Sequence, residues 1–80
     1  MTADLVSDLR ELLADVLALS VVDVPADAST DTLEDWDSLK HLDLVMALEH
    51  RFATQFSPDD VVAMRSVAGI VSVLRAKNLA

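Results

Sequence analysis

Asp37, Ser38 and His41 are the strongest candidates for a chemical role in this chain. Asp37 is a good helix N-cap residue and stands just before a long run of periodic apolar residues, which places Ser38 in the first turn of a helix. Unpaired backbone N–H groups and the positive end of the helix dipole meet there, so the position suits a phosphate ester on the serine oxygen. Alone, Asp-Ser-Leu is a weak signal, because most serines at a helix start only begin a helix.

The same three residues also have the side-chain types of a hydrolase triad, and Ser38 and His41 can be neighbours at the helical spacing i, i+3. No glycine-rich elbow or oxyanion loop surrounds them. His41 is expected on the core side of its helix, where a structural histidine explains it better than a general base. His41 and His50 point about 180° apart around the helix, so they cannot share a metal ion. The sequence therefore predicts neither an enzyme nor a metal site.

The helix that Asp37 opens, roughly Ser38 to Phe52, is apolar on two sides. With about 100° per residue, one arc is predicted to form a core face: His41, Leu44, Val45, Leu48 and Phe52. The nearly opposite side carries an apolar row edged by carboxylates: Leu39, Leu42 and Met46, with Asp43 and Glu49 beside them. Full burial of one helix is hard in so small a chain, so a second, exposed contact surface is favoured. We interpret the row as a docking face for partners with basic rims.

Three further helices are predicted around this one. The first runs from about Ala3 to Leu19 and has a buried stripe of apolar residues: Leu5, Leu9, Leu12, Val16 and Leu19. A short helix begins at Pro58, after the cap Ser57, and extends to about Ala63. The last helix is capped by Ser66 and has an inner stripe of four residues: Val67, Ile70, Val71 and Leu74. The predicted fold is all-α, a small four-helix bundle of three main helices and one short helix, in a single domain over residues 1–80.

A long loop, from Ser20 to Trp36, is expected between the first two main helices. Pro25 breaks any helix in this segment. A loop of this length in a compact domain is usually functional or needs anchors, and Leu33 and Trp36 are the candidates for that role.

The chain is acidic, with fourteen Asp and Glu residues against six Lys and Arg residues and a net charge of −8. Nucleic acids and anionic membranes are not expected as partners, because their phosphates would repel the chain, whereas basic protein surfaces are its natural complement. A calcium loop that starts at Asp27 fails as an EF-hand. Thr32 stands where glycine is required, and Ser38 stands where the bidentate glutamate must be. Loose divalent binding by the loop carboxylates stays open.

Cysteine is absent, which excludes disulfides and thiolate metal sites and makes the reducing cytoplasm the expected compartment. The N-terminus has no basic region or apolar stretch like those of a signal peptide, and no apolar run approaches the length of a bilayer span. If thioester chemistry takes place on this chain, the thiol must come from a prosthetic group.

Several motifs together, in their order and spacing, resemble the acyl carrier proteins, a family of phosphopantetheine-binding carrier domains. The resemblance runs from about Leu5 to Leu74 and rests on these residues: Asp37-Ser38-Leu39, Leu42, Leu44-Val45-Met46-Ala47-Leu48-Glu49, Phe52, Ser57-Pro58-Asp59-Asp60 and Ser66-Val67-Ala68-Gly69-Ile70. It implies that Ser38, between Asp37 and Leu39, carries a 4′-phosphopantetheine arm taken from coenzyme A. The implied partners are a phosphopantetheinyl transferase, an acyl- or aminoacyl-loading enzyme and downstream biosynthetic enzymes, and a monomer is expected.

Departures from the commonest family pattern indicate the branch. Asp35 stands where many members have glycine, and Trp36-Asp37-Ser38-Leu39 is similar to discrete carriers of secondary metabolism. Three residues stand where fatty-acid carriers commonly have acids: Lys40, His50 and Arg51. The resemblance therefore favours polyketide, nonribosomal or related biosynthesis over a plain fatty-acid role.

The resemblance also places an acyl pocket among six positions: Leu48, Phe56, Val61, Met64, Ile70 and Val73. Phe56, Val61 and Ile70 are larger than the residues common there in fatty-acid carriers, whereas Val73 is smaller. This net filling favours a short acyl or aminoacyl cargo.

A function from a different class also fits the residues. The chain could be an unmodified acidic helical adaptor that binds one partner through Leu39, Leu42 and Met46. Attachment of phosphopantetheine separates the two functions, because only the carrier needs it.

Overall fold

The structure is a computed structural model that describes residues 5–79. Four α-helices make up most of this part of the chain. Their bounds are Leu5–Leu17 for α1, Ser38–Phe52 for α2, Pro58–Ala63 for α3 and Val67–Ala76 for α4. The described residues contain no strand, only an isolated antiparallel bridge between Ser29 and Ser66. The predicted all-α bundle, three main helices and one short helix with a long loop after the first, is confirmed. Within residues 5–79, no helix has both the length and the apolar character needed to span a membrane.

The first helix ends at Leu17, earlier than the predicted end at Leu19. Ala18 adopts a left-handed conformation, with φ 59°, and the Leu19 N–H donates to the Ala14 carbonyl at 2.8 Å. This hydrogen bond satisfies a carbonyl of the last helical turn. Alanine rarely takes left-handed backbone, so no residue type marks this end in the sequence. The predicted start of the helix at Ala3 lies outside the described residues.

The buried face of α1 is also turned away from the predicted stripe. Its buried residues are Leu9, Leu13, Ala14 and Leu17. The rest of the predicted stripe is only half-buried: Leu5, Leu12, Val16 and Leu19. Because α1 packs against both α2 and α4, its buried arc is wide and is centred between its two neighbours. A single stripe of apolar periodicity does not reveal that centre.

The second helix begins and ends where the sequence predicts. Asp37 is the N-cap, and its Oδ1 accepts a hydrogen bond from the Lys40 N–H at 2.9 Å. Ala53 ends the helix in a left-handed conformation, with φ 51°. The predicted core face is confirmed. Phe52 is half-buried, and the other four residues are buried: His41, Leu44, Val45 and Leu48.

A reciprocal capping box begins α3. The Ser57 Oγ accepts from the Asp60 N–H, the Asp60 Oδ2 accepts from the Ser57 N–H, both at 3.1 Å, and Pro58 occupies the first helical turn. Lys77, at the end of α4, places its Nζ 3.7 Å from the same Asp60 oxygen. The hydrogen bond from the Ser57 backbone is the main cause that holds the pKa of Asp60 below its ordinary value of 3.8.

The start of α4 is packed closely against the end of α3. Ser66 caps α4, as predicted, by accepting a hydrogen bond from the Gly69 N–H at 2.9 Å. A Cβ on Gly69 would collide with the Ala63 carbonyl oxygen, so glycine permits this close approach. Three residues of the predicted inner stripe are buried: Val67, Ile70 and Leu74. The fourth, Val71, is half-buried, and Val73 joins the buried face.

The loop between α1 and α2 is anchored more heavily than the sequence predicts. Trp36 is buried and Leu33 partly buried, in line with the prediction. Val24 and Ala28 are wholly buried as well, and they were not among the predicted anchors. The Arg10 guanidinium on α1 donates to the Val24 carbonyl, which fixes the path of the loop across the first helix.

Two backbone hydrogen bonds tie the same loop to the turn between α3 and α4. The Thr30 N–H donates to the Arg65 carbonyl at 2.9 Å, and the Val67 N–H donates to the Ala28 carbonyl at 3.0 Å. The loop therefore runs from α1 to the α3–α4 turn before it enters α2, and it forms one wall of the region around Ser38.

Candidate functional site

Ser38 is the first residue of α2, and it is exposed. One carboxylate oxygen of the preceding Asp37 accepts the hydrogen bond that caps the helix. Ser38 therefore lies at the positive end of a 15-residue helix, where backbone N–H groups of the first turn lack helical partners. An anionic ester on the serine oxygen would be stabilised at this position.

A buried histidine fixes the elements around Ser38. His41 is only 6% exposed; the Trp36 Nε1–H donates to its Nδ1 at 3.0 Å, and its Nε2 lies 2.7 Å from the Val61 carbonyl oxygen. Because an indole N–H only donates and a carbonyl only accepts, Nδ1 is unprotonated and Nε2 carries the proton. Both ring nitrogens are thereby engaged, so His41 is not free to act as a base for Ser38. The prediction of a structural histidine is confirmed.

A cavity of about 390 Å³ opens beside Ser38, and we refer to it as the Ser38 groove. Its walls come from the long loop, the first turn of α2, α3 and the α3–α4 turn: Thr30, Trp36, Asp37, Ser38, His41, Leu42, Val61 and Arg65. Its volume lies within the range of roughly 300–1,000 Å³ that is typical of small-molecule sites. The groove combines apolar residues with three residues whose side-chain donors make no hydrogen bond within residues 5–79: Thr30, Ser38 and Arg65.

The acyl pocket implied by the family resemblance does not coincide with this groove. Val61 is the one residue of that set that lines the Ser38 groove. The others pack in the core or at its edge: Leu48, Phe56, Met64, Ile70 and Val73. Leu48, Met64 and Ile70 are wholly buried. The open space beside Ser38 is therefore bounded by the loop, the first turn of α2 and the surface of α3 rather than by the other five residues of that set.

The apolar row on α2 is exposed, as the two-sided pattern predicts. Leu39 is 74% exposed, Leu42 55% and Met46 59%, and Asp43 beside them is exposed. Leu42 also lines the Ser38 groove, so the row and the groove are continuous. Glu49 differs from the expectation of a freely projecting carboxylate: it is half-buried, and its Oε2 accepts from the N–H of a residue in the α2–α3 loop, Phe56, at 3.0 Å.

The residues around Ser38 fit a phosphopantetheine group. Ser38 is exposed, so its hydroxyl could carry the group. The N-terminus of α2 would favour the negative phosphodiester. The Ser38 groove would give adjacent space to part of the arm. The group supplies a terminal thiol when bound. The chain has no cysteine, so none of its own side chains supplies that function.

Similarity to known proteins covers most of the chain. A family model described as the phosphopantetheine attachment site matches residues 7–74. The chain belongs to the acyl carrier protein family. It is 32% identical to an acyl carrier protein of Chlamydia trachomatis serovar D over 71 residues, which cover 89% of this chain and 92% of that protein. An acyl carrier protein of Petrotoga mobilis is 35% identical over 79 residues, with 96% and 92% covered.

A third relative comes from a polyketide system. Polyketide-8 synthase acyl carrier protein 2 of Streptomyces avermitilis is 35% identical over 69 residues, which cover 86% of this chain and 79% of that protein. Membership of the family defines the prosthetic group of this carrier, a covalently bound phosphopantetheine. The unmodified adaptor is therefore the weaker of the two functions that the residues allowed.

The sequence patterns did not predict two residues of the Ser38 groove, Thr30 and Arg65. Both are distant from Ser38 along the chain, and they meet through the hydrogen bond between the Thr30 N–H and the Arg65 carbonyl. No motif spacing signals a contact of this kind. A lone arginine between two capped helices, in a chain with few bases, was the one available sign.

Proposed function

We propose that a phosphopantetheinyl transferase attaches 4′-phosphopantetheine from coenzyme A to Ser38, and that the arm tethers acyl or aminoacyl intermediates as thioesters. The observation that carries this proposal is the position of Ser38. It is the exposed first residue of α2, it follows the capping Asp37, and it lies at the edge of the Ser38 groove. On this proposal the chain is a substrate and a carrier rather than a catalyst.

The residues that follow Ser38 would present it to other proteins. Leu39 and Leu42 expose apolar surface within about one helical turn of the attachment point, and Met46 extends the row by another turn. Asp43 adds a negative charge beside them. Members of the family interact in general with biosynthetic enzymes and with phosphopantetheinyl transferases. We assign this row as the docking face for enzymes whose contact surfaces have basic rims.

We further propose that the carrier serves polyketide, nonribosomal or related biosynthesis, with a short acyl or aminoacyl cargo. The similarity to a polyketide synthase carrier supports this assignment, as does the Trp36-Asp37-Ser38-Leu39 motif. Residues 1–80 would act as one carrier domain and as a monomer. The absence of cysteine supports a reducing compartment such as the cytoplasm.

Intact mass spectrometry tests the attachment. The full chain is incubated with coenzyme A and a broad-specificity phosphopantetheinyl transferase, and we expect a mass gain of one phosphopantetheinyl group per chain. Ser38→Ala should abolish the gain. Ser57→Ala and Ser66→Ala are matched controls, because both serines cap helices but lack an apolar row after them. A gain that survives in Ser38→Ala would refute the assignment.

The exposed row is also the observation that favours the adaptor function. An exposed apolar surface on a small monomer commonly marks a contact site, whether or not a prosthetic group is attached. The two functions differ in their dependence on Ser38. An adaptor would bind its partner equally well in wild type and in Ser38→Ala, and no transferase would modify it.

A further inference from the structure

We propose that Arg65 and Thr30 form an oxyanion-binding subsite in the Ser38 groove. The anion would be either the phosphodiester of the arm or a carboxylate of the tethered cargo, which share the same hydrogen-bonding chemistry. The subsite rests on the proposed attachment at Ser38, because its ligand is held there. Both residues line the groove that Ser38 borders, with Thr30 half-buried and Arg65 exposed, and neither belongs to the motifs of the family resemblance.

The backbone holds the two residues side by side. The Thr30 N–H donates to the Arg65 carbonyl at 2.9 Å, and the residues next to them, Ser29 and Ser66, form the antiparallel bridge. The attachment points of both side chains are therefore fixed before any ligand arrives. Such preorganisation lowers the ordering cost of binding.

Both side chains have hydrogen-bond donors that no group of the described chain occupies. Within the described chain, the Arg65 guanidinium makes no ion pair and no hydrogen bond, and the Thr30 hydroxyl makes no hydrogen bond. A guanidinium presents five N–H donors in a planar fork that matches carboxylate and phosphate oxygens. Arg51 and Lys77, by contrast, are paired with carboxylates. In a chain of net charge −8, a guanidinium at a cavity without a carboxylate partner is available to an external anion.

One acidic residue shares the groove, Asp37. Its Oδ1 accepts the Lys40 N–H at the helix cap, and no ion pair joins it to Arg65 in the part of the chain described. The positive end of the α2 dipole partly offsets its charge. Asp37 therefore does not occupy the Arg65 guanidinium, and the anion is expected between Arg65 and Thr30.

The tether makes a weak subsite sufficient. An exposed ion pair contributes little by itself, because water and salt screen it. A group attached to Ser38 reaches Arg65 within the same molecule, at an effective concentration on the order of millimolar for a short flexible tether. Even modest attraction would then bias the arm, or the end of its cargo, toward the groove.

Four forms of the full chain test the subsite: apo, holo, and holo loaded with a succinyl or a butyryl group. The two acyl groups have the same carbon count, but only succinyl ends in a carboxylate. The loaded forms are made from the apo chain, to which the transferase transfers the acyl-phosphopantetheine arm of succinyl- or butyryl-coenzyme A, with adenosine 3′,5′-bisphosphate leaving. Intact mass is measured first, so that a failed attachment, which would count against the proposed function, is recognised before the subsite is examined. The readout is the solvent-exchange rate of the Arg65 Nε–H by NMR, with the Nε–H of the exposed Arg75 as internal control.

An oxyanion bound to Arg65 is expected to slow this exchange by roughly two- to fivefold, the protection that one partly exposed ion pair provides, with Arg75 unchanged. Slowing in holo relative to apo assigns the phosphodiester as the ligand. Slowing that appears with succinyl but not with butyryl assigns the cargo carboxylate. Equal Arg65 exchange in all four forms overturns the proposal.

Two variants with the same loss of charge provide the matched comparison. In the form of the protein in which Arg65 exchange is slowed, the Thr30 amide resonance should also be shifted. Arg65→Gln should remove that shift, whereas Arg75→Gln should retain it. A shift that persists in Arg65→Gln would mean that the anion does not use the guanidinium, which also overturns the proposal.

Discussion

His41 joins the long loop, α2 and α3 through two hydrogen bonds of opposite direction, one accepted from Trp36 and one donated to the Val61 carbonyl. Loss of either partner would leave a buried polar atom unsatisfied, at a cost of about 1–3 kcal/mol. All three residues also line the Ser38 groove. The same contacts therefore stabilise the fold and set the shape of the groove beside Ser38.

The charge state of Asp60 links pH to stability. Its pKa is held below 3.8, first by the hydrogen bond from the Ser57 backbone and further by Lys77. A carboxyl group with a lowered folded-state pKa stabilises the fold above its unfolded value and loses that contribution as pH falls through its folded value. We predict that Asp60→Asn lowers the melting temperature at neutral pH, and that the difference from wild type shrinks as pH falls below 3.8.

Asp59→Asn is the control for this prediction. Asp59 lies in the same first turn of α3 but outside the capping box, and it is exposed. Thermal melts of both variants and of wild type across the acidic range give the comparison. A deficit in Asp60→Asn that stays constant with pH would show that asparagine disturbs packing rather than removing a charge.

At the scale of one element, α2 carries a core face and the exposed row that we propose as a docking face, and substitutions should separate the two. Met46 is exposed and Leu48 is wholly buried. Met46→Ala and the exposed-site change Asp43→Lys should each alter stability by no more than about 0.5 kcal/mol but slow phosphopantetheinyl transfer. Leu48→Ala should cost about 2–5 kcal/mol, because it leaves a cavity in the core. Thermal melts and transfer rates on the three variants provide the measurement.

Salt gives this prediction an internal control. Attraction between Asp43 and a basic transferase surface acts at long range, so the Asp43→Lys defect should shrink as ionic strength rises, whereas the Met46→Ala defect should persist. If Met46→Ala destabilises the protein as much as Leu48→Ala, the docking face does not exist.

Local sequence patterns determine some helix ends of this chain and not others. The bounds of α2 followed from Asp37 and from apolar periodicity, and the start of α4 followed from Ser66, because capping and periodicity act within a few residues. The end of α1 did not, since a left-handed Ala18 has no local signature. The groove did not either. Thr30 and Arg65 meet only because the loop crosses the bundle, and that path depends on the whole fold.

At the scale of the whole molecule, negative charge is the dominant feature. Fourteen acidic residues face six basic ones. The ion pairs within residues 5–79 join Arg51 to Asp8 at 3.8 Å and Lys77 to Asp60 at 3.7 Å, and all four side chains are partly exposed. Such pairs contribute about 0–1 kcal/mol each. Self-repulsion therefore opposes the compact state, while the same charge attracts basic partners.

This balance predicts the response to salt. A core of this size supplies only about 3–5 kcal/mol, so relief of repulsion should be visible as a melting temperature that rises from low to physiological ionic strength. Within residues 5–79, no group of three or more acidic, histidine or cysteine side chains is placed to hold a metal ion. Magnesium chloride should nevertheless be more effective than sodium chloride at equal ionic strength, because the carboxylates of the loop between α1 and α2 can bind divalent cations loosely. A flat response would mean that the charges are already spaced well enough to be harmless. Equal effects of the two salts would contradict loose divalent binding on the acidic loop, because screening alone depends on ionic strength and not on the identity of the cation.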